Sequence, residues 1–289
     1  MKWEGQEQSS NVEDRRGAGG GLPIGGRGIG LGAVVVALIA GWILGVNPLT
    51  LLGLLGGEGA PTAIEQPQQR APAPPADDRS AVFVSTVLRD TERVWGEVFR
   101  AAGSVYEEPK LVLFRGATRT ACGTGESAMG PFYCPGDRKV YLDLEFFDTL
   151  AQRLGAPGEF AQAYVVAHEV GHHVQNLLGI TDKVDAMRGR LAPREANALS
   201  VRVELQADCL AGVWAQRSQQ GKGWLERGDI DSALHAAAQI GDDTLQRAAR
   251  GRVVPESFTH GSSEQRVAWF RRGLDGGSVK GCNTFDARP

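Results

Sequence analysis

The stretch EFAQAYVVAHEVGHHVQNLL, Glu159 to Leu178, decides how the rest of the chain is read. Ala163, Val165, Val166, Ala167, Val170 and Val174 make it apolar nearly all round, the pattern of a helix buried in a core. Inside it stands His168-Glu169-Val170-Gly171-His172. Residues four apart on a helix lie one above the other, so both imidazoles reach a single ion. Glu169 follows the first histidine directly, near enough to hold a water on that ion while itself staying off it. Burying two imidazoles and a carboxylate without partners is costly, and a metal removes that cost. The competing reading is a satisfied structural cluster. The pentapeptide by itself is a weak signal, and its apolar setting is what favours zinc. His173, one position round the helix, is expected to support or pack rather than ligate.

A catalytic zinc takes three protein ligands and a water, and one helix supplies two. Of the five histidines in the chain, neither His235 nor His260 stands where a short extension of the motif would need it. A second helical pattern runs from Arg194 to Gln216, apolar at Leu199, Val203, Ala207, Leu210, Ala211, Val213 and Trp214. Glu204 and Asp208 are four apart on it. Glu204 can close the metal site, and Asp208 can accept the outer ring N–H of a ligand histidine and set its tautomer. An ordinary solvated helix face is the bland alternative for that pair.

HExxH followed by ExxxD on a second helix resembles the gluzincin arrangement of metallopeptidases. The wider wording GPFYCPGDRKVYLDLEFF (130–147), AYVVAHEVGHHVQ (163–175), ELQADCLAGVW (204–214) and SFTHGSSEQR (257–266) resembles the bacterial family called Putative neutral zinc metallopeptidase. SSNVEDRRG (9–17) is similar to the amino-terminal tag of that family. The resemblance covers nearly the whole chain except the Pro-rich segment. It implies a zincin-like domain, a zinc cofactor and a peptide substrate of open identity. It also implies a strand beside the metal that pairs with extended substrate, without saying which strand.

A net charge of -3 and 42% hydrophobic residues are ordinary for a globular protein and leave no footprint for nucleic acid. Residues 1–27 are polar and Gly-rich, and read as a disordered tail. No charged residue occurs from Gly28 to Gly57, and Ile29 to Val46 is about long enough to span a bilayer. A cleaved signal peptide is the rival reading, with a shorter apolar run. Basic residues crowd the amino-terminal side, so the tail is expected in the cytoplasm and everything after the span outside it. Residues 58–79 read as a Pro/Ala-rich spacer, and residues 80–289 as the peptidase domain.

Four cysteines suit an oxidising compartment and allow three pairings. Local closure favours Cys122 with Cys134, leaving Cys209 to staple Cys282 to the helix of Glu204. A four-cysteine zinc site and free buried thiols are the alternatives. Elsewhere Ala81–Ala102 reads as a packing helix, Leu111–Phe114 and Lys139–Asp143 as strands, and Leu144–Leu154 as a short helix. Gly179 is expected to end the metal helix. Asp229–Ile240 reads as a helix on which His235 is a surface or packing residue. Ser262 and Gln265 have capping-box spacing for a helix through Phe270. That accounts for the serines, while two readings compete for the neighbours: His260 donating to a reaction oxyanion and Arg266 ordering carboxylates, or a plain capped helix.

The expectation is therefore an α+β, mainly helical fold with a small antiparallel sheet, preceded by one transmembrane helix. It would be a single-pass membrane protein with its amino terminus in the cytoplasm. One Zn²⁺ held by His168, His172 and Glu204, with Glu169 as base, would hydrolyse peptide bonds of exported or envelope proteins. The alternative is a non-hydrolytic extracytoplasmic binding or scaffold protein with a structural zinc.

Overall fold

The computed structural model describes residues 1–17 and 73–286. The first strand, β1 (Val12–Asp14), comes from the segment read as a disordered tail. Helix α1 (Arg79–Ala101) starts at Asp78, whose side chain accepts from the Ala81 N–H, and buries Val84, Val87, Leu88, Val94 and Trp95 at helical spacing. Strand β2 (Lys110–Phe114) leads into a hairpin of β3 (Ala117–Thr120) and β4 (Gly123–Glu126), then β5 (Phe132–Cys134) and β6 (Lys139–Asp143).

Sheet order is β1-β2-β6-β5, with β3-β4 apart. The pairs β1–β2 and β2–β6 are parallel, and only β5 runs against its neighbour β6. The expected antiparallel sheet is thus corrected to a mixed one with an antiparallel edge. The reason is topological. A helix intervenes between β1 and β2, and a hairpin plus β5 between β2 and β6, so each partner returns in the same direction.

Residues 1–17 are not a separate tail. Val12 sits opposite Leu111, Ser9 donates to the buried Glu92 carboxylate at 2.5 Å, and Asn11 bridges Glu92 and Glu108. Arg16 pairs with Asp14 and Asp78. Trp3 is buried edge-on against Phe83. Residues 1–17 and 73–286 form one compact unit.

This bears on the expected membrane topology. Among the described residues no helix is long and apolar enough to cross a membrane, so the transmembrane helix and the single-pass location are not supported. The apolar run 28–57 itself lies outside the described residues. A chain crossing a bilayer once between residues 17 and 73 would leave β1 and β2 on opposite sides, and they are hydrogen-bonded neighbours.

The helical layer follows: α2 (Glu145–Gln152), α3 (Glu159–Leu177), α4 (Ile180–Arg188), α5 (Pro193–Lys222), α6 (Asp229–Gln239), α7 (Asp242–Arg250) and α8 (Ser263–Gly276). Helix α3 ends at Gly179, in the left-handed conformation at φ 68°. α5 runs past its expected end at Gln216 to Gly223, also left-handed. α3 and α5 touch where a Cβ on Gly171 would lie 3.0 Å from the Ala207 carbonyl oxygen. α5 and α8 lie closer still: a Cβ on Gly273 would fall 1.9 Å from the Cys209 oxygen. Phe160 stacks on Trp214, and Tyr164 meets Phe270 edge-on. Disulfides join Cys122 to Cys134 and Cys209 to Cys282. The first ties the hairpin tip to β5, the second the carboxyl-terminal segment to α5.

Candidate metal centre

Helix α3 presents His168 and His172 on one face, and α5 brings Glu204 against them. Their ligand atoms all lie within 4.8 Å of one another. His168 Nε2 is 3.2 Å from one Glu204 oxygen, and His172 Nε2 is 3.6 Å from the other. The outer ring nitrogens are occupied. His168 Nδ1–H donates to Asp208 at 2.8 Å, and His172 Nδ1–H to the Gln175 side-chain oxygen at 2.9 Å. Both Nε2 atoms therefore direct lone pairs at a carboxylate. Three acceptors facing one another repel unless a cation lies between them. Ligand atoms about 2.0–2.1 Å from a tetrahedral zinc sit about 3.3 Å apart, so the two histidine-to-carboxylate spacings and the donor set fit zinc.

The electrostatics agree. Burial opposes a charged His168, yet the Asp208 and Glu204 carboxylates raise its pKa to about 10. Burial likewise opposes a charged His172, and Glu204 raises it. Glu204 is held well below the ordinary carboxylate value by the two rings, against its burial. The cluster draws in positive charge, if only as a proton. Glu169 is buried, and that burial pushes its carboxyl up, with the rings of His172 and His168 acting against it.

Arg266, from α8, grips Asp208 through Nε and Nη2, each at 2.9 Å. Tyr164 donates to the same carboxylate at 2.5 Å. All three groups are buried. Burial would raise the Asp208 pKa, and the Arg266 guanidinium outweighs it and holds the carboxylate ionised.

His260 lines the same cleft, a space of about 980 Å³ also bordered by Met129, Phe132, Tyr133 and Leu245. It stays outside the ligand group. Its Nδ1 is 3.4 Å from Asp242, whose other oxygen accepts from the backbone N–H groups of Thr259, His260 and Gly261. His173 donates to the Glu107 carbonyl and accepts from Tyr133. His235 donates to the Gly155 carbonyl. Sequence reasoning missed Tyr164, Gln175 and Asp242. Tyr164 stands four before His168 and Gln175 three after His172, so helical spacing offered a signal for both. Asp242 offered none.

The sequence profile of the family described as Putative neutral zinc metallopeptidase matches residues 1–285. The chain belongs to that family. The chain of this zinc-peptidase family member is 51% identical over 292 residues to "Uncharacterized protein YpfJ" of Escherichia coli (strain K12), covering 99% of each chain. It is 45% identical over 192 residues to "Uncharacterized protein Rv2575" of Mycobacterium tuberculosis (strain H37Rv), covering 63% of this chain and 64% of the relative. No solved structure matches it. Family membership points to zinc as the metal and to protein as the substrate.

Proposed function

We propose that this family member is a zinc-dependent endopeptidase of gluzincin type. The observation that carries the reading is the meeting of two Nε2 lone pairs and one carboxylate, with both rings oriented from outside by hydrogen bonds. His168, His172 and Glu204 would hold the ion. A bound zinc supplies Lewis acidity, lowering the pKa of a coordinated water towards about 7 and polarising the scissile carbonyl.

Glu169 takes the proton of the attacking water and returns it to the leaving amine. Its raised pKa suits a group that must first accept and then donate. His260, held through Asp242, donates to the oxygen of the carbonyl under attack. Arg266 and Asp208 keep His168 in one tautomer. Among the described residues β5 lies at one edge of its sheet, and Phe132 and Tyr133 on it border the cleft. An extended peptide would pair with that edge, which favours cleavage within a chain over trimming of its ends.

Glu169→Gln is expected to keep about one zinc per chain and to lose hydrolysis of an unstructured peptide pool by at least about a hundredfold. Undiminished turnover would remove Glu169 as base. A native chain that binds zinc and cuts nothing would make the metal structural.

A further inference from the structure

Two buried glutamines stand behind His172, and packing alone gives no reason for amides there. Gln175 is 1% exposed and Gln206 7%, and a buried amide without partners is costly. Every polar atom of both is used. The Gln175 oxygen accepts from His172 Nδ1–H. Its NH₂ donates to the Val203 carbonyl at 2.7 Å and to the Gln206 side-chain oxygen at 3.0 Å. The Gln206 NH₂ in turn donates to the Cys282 carbonyl at 2.9 Å.

The chain of bonds has a direction. A backbone carbonyl only accepts, so the NH₂ of Gln206 must face Cys282 and its oxygen must face Gln175. That forces the NH₂ of Gln175 inward and its oxygen towards His172. His172 then carries its proton on Nδ1, and its Nε2 lone pair faces Glu204. Turning either amide over would set oxygen against oxygen at one link and N–H against N–H at the next. Cys282 is held by its disulfide to Cys209, the residue after Asp208. The outer partners of both rings thus hang from one staple, His168 through an ionised carboxylate and His172 through two neutral amides.

We propose that Gln175 and, behind it, Gln206 are positioning residues that set the tautomer and aim of His172. The inference rests on the reading of His172 as a metal ligand and adds to it how the second imidazole is made ready. Loss of such an outer hydrogen-bond partner commonly weakens metal binding about 10–100-fold.

The test measures zinc affinity by chelator competition and reads the ring ¹⁵N shifts of His172 in the metal-free chain at alkaline pH, above the raised pKa of the ring, where it is neutral. Gln175→Met keeps the volume without an acceptor, whereas Gln175→Glu restores the acceptor alone. The expected affinity order is native, then Gln175→Glu, then Gln175→Met, with Met lower by about 10–100-fold and its ¹⁵N shifts moved towards a tautomer mixture. Native affinity in Gln175→Met, or Glu no better than Met, would overturn the proposal. Gln206→Met leaves the Gln175 contact in place and is expected to lower affinity by a smaller factor with the same drift in ¹⁵N shift. Unchanged values there would overturn the part assigned to Gln206. His172→Ala separates the two levels. If it keeps tight zinc binding, the ligand assignment falls and the inference with it; if it loses zinc while the Gln175 comparison fails, the inference alone falls.

Discussion

His260 reaches the cleft with one ring nitrogen turned to Asp242, and under the proposed mechanism this pairing would make its role depend on pH. The Asp242 contact raises its pKa above the ordinary histidine value, against the partial desolvation of a ring that is still 53% exposed. Below that pKa both nitrogens carry protons and Nε2–H can donate to an oxyanion. As pH rises through it, the ring keeps the proton facing Asp242 and loses the other, so kcat should fall on the basic side. His260→Ala is expected to abolish that basic limb and to lower kcat at its plateau by about 10²–10³. Superimposable kcat profiles for the two proteins would take His260 out of the reaction. At this scale the sequence was most legible where a residue's role depends on helix spacing. His168, His172, Glu204 and Asp208 declare themselves at intervals of four, and Gln175 sits within the same helix as His172. Asp242 was illegible because its partners are backbone N–H groups of residues 259–261, and no side-chain pattern marks a backbone donor.

Helix contacts decide whether those residues meet. Gly273 lets α8 lie against the backbone of α5 beside Cys209, and Arg266 on the same helix reaches Asp208 as a consequence. Gly273→Ala has no flexible side chain to push aside, only backbone. It is expected to destabilise by about 3 kcal/mol, the upper end of overpacking costs, and to weaken zinc binding by drawing Arg266 off Asp208. Urea unfolding with zinc titration checks both, and an unchanged midpoint would show that the two helices part freely. Element existence was readable for α1, α3, α5, α6 and for β2 and β6, whose apolar positions keep a regular period. The carboxyl-terminal helix runs to Gly276 rather than Phe270, because glycines that look like interruptions are the points of closest packing. Helix α7 went unseen because it is short, polar or charged at six of its nine positions, and buries only Asp242.

Over the whole molecule, the amino-terminal residues complete the sheet and help cover the core. Trp3 is 4% exposed, with Phe83 in an edge-to-face contact and the Arg79 guanidinium over its ring. Trp3→Ala is expected to cost about 3 kcal/mol, measured by denaturant unfolding, with zinc affinity unchanged because the cleft lies elsewhere. A change within about 0.5 kcal/mol, the range of ordinary surface substitutions, would mean the segment is not part of the folded unit. Composition misled here: a polar, glycine-rich run with a three-residue strand carries too little apolar pattern to announce a pairing with β2. What the sequence determined by itself was local: a buried helix with imidazoles at metal spacing, a second helix with a carboxylate to face it, and cysteines close enough to close a loop. Only the tertiary structure decided that β1 belongs to the domain, that the sheet is mostly parallel, and that two amides aim His172. Each of these depends on hydrogen bonds between residues far apart in the chain, as Gln206 to Cys282 across 76 positions, and such bonds leave no periodic trace in the sequence that makes them.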